Sequence, residues 1–147
     1  MAESQRWPAS AAAAAIGISN ERFNRLIDRG LHQLADAEAR PGTGNHREYS
    51  LADIHRGAHL HRLNELGLPP SKARDLAAVF FRGGDGREPG ALYPDGRTLL
   101  RIGPAGARVV HVKPGERVDS VADEIVVHAD ILLTLCNARL GVRLSAH

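Results

Sequence analysis

Gly17 and Gly30 restrict what this chain can fold into more than any other pair of residues. Before Gly17 runs the Ala-rich segment SAAAAAI, residues 10–16. Pro8 suits the first turn of a helix and Ala has the best intrinsic helix propensity, so a first helix is predicted over about 8–16. Its small side chains let a neighbouring helix approach closely. Gly17 supplies a turn, Ser19 is a good N-cap, and Glu21 stands near the positive end of the next helix dipole. Phe23, Leu26 and Ile27 then form one apolar stripe, while Asn20, Arg22, Asn24, Arg25 and Asp28 fill the other faces. Gly30 ends this second helix as a C-terminal cap. Two short helices joined by a tight Gly-containing turn make a helix-turn-helix.

Arg pairs with guanine and Asn with adenine, so the outer face of helix 19–29 has the chemistry to read bases. A solvated amphipathic helix would look the same in isolation, and the following residues decide between the two. Residues 40–49, RPGTGNHREY, read as a hairpin wing with its tip at Pro41 to Asn45 and a return strand at His46 to Tyr49. Arg40 and Arg47 flank that tip, placed to touch phosphates on either side of a groove, although a tip of this composition is also an ordinary polar loop. Ser50 to Asp53 resembles a capping box with Asp in the usual place of Glu or Gln. Helix three is predicted to run to about Leu66, offering Ile54, Ala58, Leu60, Leu63 and Leu66 to the core, and Gly67 stops it. Pro69-Pro70 opens helix four, which turns Ala73, Leu76, Ala77 and Phe80 inward.

Gly17, Ser19, Phe23, Gly30, Leu31, Arg47, Tyr49, Ser50 and Leu66-Gly67-Leu68 stand in the order and spacing of the MerR family, which this chain resembles from residue 7 to about 80. In that family a Gly-Val-Ser turn is followed by Gly-Leu after helix two, by Tyr-Arg-x-Tyr-Ser, and by Leu-Gly-Leu. The resemblance implies a winged helix-turn-helix that binds double-stranded DNA. Helix two departs from it: the family has an Arg-Tyr-Tyr run where this chain has Asn24, Arg25 and Leu26. The Arg-Leu-Ile-x-Arg-Gly segment is more similar to phage excisionase and AlpA-type proteins. Phage terminase small subunits also use this fold. Ser19, Asn20, Arg22, Asn24 and Arg25 are the expected contacts from helix two, with Arg40, His46, Arg47 and Tyr49 from the wing.

Residues 83–90, GGDGREPG, have a linker's composition. Beyond them Pro94 to Gly96 signal a turn, and Leu99 to Ile102 and Val109 to Val112 read as strands separated by Gly103-Pro-Ala-Gly106. Residues 118–128 are ambiguous, since Val118, Val121 and Ile125 suit a helix while Ile125-Val-Val suits a strand. Ile131 to Leu140 reads as a last helix, with Asp130 as N-cap and Gly141 as C-cap. The MerR regulators continue instead into a long dimerising helix, so the resemblance offers no guide to residues 83–147. The expected class is α+β: a winged helix-turn-helix domain over 1–82, a linker over 83–90, and a small α+β module over 91–147.

Residues 1–82 carry eleven Arg and Lys against nine Asp and Glu, and the rest carry eight against eight. Local charge matters more than this mild excess for a protein that neutralises phosphates. No window reaches the roughly 18 uncharged apolar residues a membrane span needs. The first ten residues lack the pattern of a secretory signal. A single cysteine, Cys136, excludes an intrachain disulfide and multi-Cys metal sites. These features point to a soluble, cytoplasmic chain. His55 and His59 stand four apart on helix three, a metal-ligand spacing, but with no third ligand they read as solvent-facing histidines. His111 and His128 read as core or edge residues. No enzyme motif is present: Gly83-Gly84-x-Gly86 is followed by Arg-Glu-Pro-Gly, which cannot start a helix at once. No cofactor or metal is expected.

The sequence therefore predicts a DNA-binding regulator of transcription acting as a homodimer. Residues 91–147 would serve dimerisation, a protein partner or a small ligand. The apolar positions Ile131, Leu132, Leu133, Leu135, Cys136 and Leu140 are too many for one packed face, though core packing alone would account for them about as well as a second subunit. The alternatives are an excisionase-like or packaging-related architectural DNA binder, and a protein-interaction adaptor that keeps the fold without DNA binding.

Overall fold

Ser50 starts the longest helix among the described residues by the reciprocal contacts its sequence predicts. Its Oγ accepts from the Asp53 backbone N–H at 3.2 Å, and the Asp53 carboxylate accepts from the Ser50 N–H at 3.3 Å. In the computed structural model, which describes residues 5–28, 48–83, 86–118 and 123–142, this helix is the centre of the molecule. The elements are β1 (Arg6–Pro8), α1 (Ala9–Ile16), α2 (Asn20–Asp28), β2 (Glu48–Ser50), α3 (Leu51–Glu65), α4 (Pro70–Ala77), β3 (Arg97–Gly103), β4 (Gly106–Val112), β5 (Ile125–His128) and α5 (Ala129–Leu140). The fold is α+β, with five helices and two small antiparallel sheets among the described residues. No helix among them is long and apolar enough to cross a membrane.

α1 buries Ala12, Ala13, Ala15 and Ile16, and its small side chains let α3 and α5 lie against it. Gly17 ends it in the left-handed region at φ 95°, with its own N–H and that of Ile18 on the Ala13 carbonyl. The Arg139 guanidinium of α5 donates to the Ala15 carbonyl at 3.0 Å, satisfying another acceptor at the same helix end. β2 begins at Glu48 and pairs antiparallel with β1, Trp7 opposite Tyr49. The sequence predicts the first helix from about residue 8 and no strand before it; residues 6–8 are instead the partner strand of β2. The tip of that wing and the Gly30 cap lie outside the described residues.

The second sheet has the order β4-β3-β5, both neighbours antiparallel to the central strand. β3 and β4 form a hairpin across Pro104-Ala105, β3 longer at both ends than its predicted strand and β4 longer at its start. Residues 125–128 resolve the earlier ambiguity as a strand, because β3 offers an open edge to Ile125-Val-Val. β4 and β5 run parallel to each other on opposite sides of β3. α5 follows β5 directly. Asp130 lies in its first turn and not at its N-cap, where it accepts from Arg97 Nε at 2.7 Å and from the Thr98 N–H at 3.3 Å.

The apolar clusters run across residues 83–90. One joins Leu26, Leu60, Leu63, Ala73 and Ala77 to Leu100, Ile102 and Val127; another joins α1 and α3 to Cys136. Arg87 is buried within this stretch, donating to the Phe80 carbonyl at 3.2 Å and the Ala91 carbonyl at 2.7 Å. Burial pushes the Cys136 thiol up to about 11, so it is a packing residue and not a reactive one.

The structure overturns the solvent-facing reading of His55 and His59. Both are buried, because α5 and the Phe80-Phe81 turn cover the face of α3 that carries them. Leu66, expected in the core, is 37% exposed. His55 Nε2 donates to Asn137 Oδ1 at 2.7 Å. His59 Nδ1 donates to the His55 carbonyl at 3.0 Å, and its ring stacks on Phe80 with centroids 4.6 Å apart. Its Nε2 has no partner among the described residues, so protonation would place a cation between two phenyl rings. Burial accordingly lowers the His59 imidazole from 6.5 to about 4.

The unfolded chain therefore binds this proton first as pH falls. Stability is complete above pH 6.5, declines below it, and has lost the whole contribution once the folded imidazole titrates near 4. That loss is on the order of 3 kcal/mol. Urea denaturation across this window reads it directly. His59→Phe keeps the ring stack and should flatten most of the decline, leaving the share of His55, whose imidazole burial also lowers.

Candidate nucleic-acid interface

α2 begins as the sequence predicts, with Ser19 Oγ accepting from the Arg22 N–H at 3.0 Å. Phe23 and Leu26 face the core and Ile27 is half-buried. Among the described side chains of α2, Asn20, Glu21, Asn24 and Arg25 are exposed, adjacent positions on successive turns that make one outward polar face. Ser19 lies exposed at the start of this face. Glu21 and Arg25 carry opposite charges side by side on it.

Two contacts hold this face from behind. The Phe23 ring meets Tyr49 edge-on, with centroids 4.9 Å apart and an interplanar angle of 83°. Tyr49 is 0% exposed, so its expected place among the DNA contacts is corrected: a ring sealed between α2 and β2 presents nothing to a duplex. Its position two residues after Arg47 put it at the wing in the sequence reading. Hydrophobic burial wins because the strand alternates, turning Tyr49 inward between the exposed Glu48 and half-buried Ser50.

The second contact belongs to Arg22. Its Nη2 donates to Asn64 Oδ1 at 3.2 Å, and Asn64 Nδ2 donates onward to the Leu68 carbonyl at 3.3 Å. The half-buried guanidinium thus ties α2 to the end of α3 and is not held outward as a base-reading group. Asn64 was not singled out from sequence, since nothing in a lone Asn near a helix end says which side chain it will meet. His61 lies close to the same contact. Burial lowers its imidazole most, Glu65 opposes that, and the Arg22 and Arg62 charges reinforce it.

Of the nine expected contacts, the structure brings Ser19, Asn20, Asn24 and Arg25 to one exposed face, turns Arg22 toward α3, and buries Tyr49. Arg40, His46 and Arg47 lie outside the described residues. Among the described residues no group of three His, Cys, Asp or Glu side chains could hold a metal ion. No protein-family model matches this chain, and no curated protein matches it.

The Arg22–Asn64 contact is measurable in a double-mutant cycle. Arg22→Ala and Asn64→Ala should each destabilise the fold, with a coupling of about 1 kcal/mol for one charge-assisted, half-buried hydrogen bond. Additive effects would show that the two side chains do not act together.

Proposed function

We propose that this chain is a sequence-specific binder of double-stranded DNA that regulates transcription, through a MerR-like winged helix-turn-helix formed by α1, α2 and the residues leading into β2. The observation that carries this reading is the outward face of α2. Asn20, Asn24 and Arg25 are exposed together on a helix whose opposite side is sealed by Phe23, Leu26 and Tyr49. A helix braced in this way can enter a major groove without losing its own packing, and its Asn and Arg side chains match adenine and guanine edges. Ser19 would stand at the groove edge, with Arg40, His46 and Arg47 of the wing on the phosphates. In this reading the protein is a binding protein and not an enzyme, acts in the cytoplasm, and needs no cofactor.

Glu21 favours a second reading. A carboxylate beside Arg25 on the same face opposes phosphate and suits a protein partner, so an interaction adaptor with the same fold is the alternative. An architectural, excisionase-like DNA binder would use the same face and differ in its sites.

Genome-wide mapping of bound sites supplies the target sequence, and anisotropy titrations at two salt concentrations then test the face. Asn24→Ala and Arg25→Ala should each cost about 1–3 kcal/mol where they read a base. If Arg25 contacts a phosphate instead, its loss should weaken all sequences alike and reduce the salt slope by about one. Tyr49→Phe should leave the salt slope unaltered. Unchanged affinity and slope in both α2 variants would overturn the assignment of this face.

A further inference from the structure

α2 presents its outer face at an angle that apolar packing alone leaves loose. Phe23 meets the Tyr49 ring and Leu26 joins the cluster of Leu60 and Leu63. Apolar burial of this kind holds a helix close without fixing how far it rolls about its own axis. Successive residues stand about 100° apart around a helix, so Arg22 lies about 60° from Arg25 and borders the exposed face on that side. From this border its Nη2 donates to Asn64 Oδ1, and a hydrogen bond, unlike apolar contact, has a direction.

The Asn64 amide is not free to follow the helix. Its Nδ2 donates to the Leu68 carbonyl, and Leu68 is itself turned back on α3, its N–H on the Leu63 carbonyl at 3.1 Å. Gly67 makes that return possible at φ 103°, in the left-handed region. The acceptor that Arg22 meets is therefore set by the turn between α3 and α4 and not by α2.

This arrangement is not the one that stability alone would favour. Arg22 Nε is buried with no partner among the described residues, a cost that an apolar side chain beside Leu26 would not carry. A local cost directly behind an exposed Asn and Arg face points to a requirement other than stability.

We propose that Asn64 is a positioning residue for recognition: through Arg22 it fixes the roll of α2, and so sets which of Asn20, Asn24 and Arg25 meet base edges. The inference rests on the DNA-binding reading and adds to it a specificity determinant on α3 that touches no DNA. Hydrogen bonds to base edges need close alignment, whereas phosphate contacts carry no sequence information. The pair thus acts on discrimination between sequences more than on affinity for DNA in general.

Anisotropy titrations of the full chain on a duplex carrying the mapped site, and on a scrambled duplex of the same composition, give the ratio of the two affinities. Asn64→Ala should lower that ratio about tenfold, comparable to losing one base contact, with the salt slope unaltered. Arg22→Met, which keeps the packing of the alkyl stem, should match it, and the double variant should be no worse than either. Asn64→Asp keeps an acceptor for Arg22 and should restore most of the ratio. A side chain that only stabilises the fold would move both affinities together.

Residual dipolar couplings of the α2 amides, measured without DNA, should report a reoriented helix in Asn64→Ala and the wild-type orientation in Asn64→Asp. Unaltered couplings, or a wild-type ratio in Asn64→Ala or Arg22→Met, would overturn the positioning role and leave the DNA reading standing. A wild-type chain that does not distinguish the two duplexes would overturn the DNA reading and this role with it.

Discussion

The hydrogen bond from His55 to Asn137 joins residues 82 positions apart and sets how the last helix sits on the centre of the molecule. α3 is buried over most of its circumference, and a helix so enclosed must match each polar side chain it carries. Asp53 is used in the capping box, His55 by Asn137, and His59 partly by the carbonyl one turn earlier. Around these, α1 approaches through alanines and α5 through Leu133 and Cys136. Arg139 then binds the end of α1, so α5 makes a polar contact with each of the two helices it covers. The cost of burying the histidines neutral appears as acid sensitivity; what they supply is a specific seating for α5.

Where a residue's role is decided by its near neighbours, the sequence was legible. The Ser19 cap, the Gly17 turn, the Ser50–Asp53 box and the β3–β4 hairpin are each set within four or so residues, and each forms where the pattern places it. Where a role depends on distant packing, reading failed. His55 and His59 look like surface histidines because helix periodicity says nothing about a cover supplied by residues 80, 81 and 137. Tyr49 looked like a wing residue because its partner Phe23 is remote in sequence. Arg22 looked available because Asn64 gives no signal of its own. The candidate face was legible in outline through Asn20, Asn24 and Arg25, and its bracing was not.

Residues 83–90 illustrate the limit from the other direction. Gly, Pro and charged residues read as a linker by composition, and a linker should make few contacts. Arg87 is the exception within it. Its guanidinium lies over Phe80, 4.9 Å from the ring centre, and donates to carbonyls on both sides of the stretch. With Nη1 on both carbonyls and its plane over Phe80, the buried Arg87 holds the turn to the Phe80-Phe81 corner that also encloses His59. The link between helices and sheet is therefore a packed corner, continuous with the aromatic box that tunes the imidazole.

The place of α5 has a consequence for how the protein is made. The alanine face of α1 and the inner face of α3 are synthesised well before the side chains that cover them, Leu132, Cys136 and Leu140 of α5. β3 likewise acquires its second neighbour only after β5 is synthesised. A nascent chain stalled before α5 would expose an alanine groove, a strand edge and two neutral histidines to water and to other chains. Closure of this core therefore waits for α5, and until it forms the exposed apolar surface and strand edge are open to other chains.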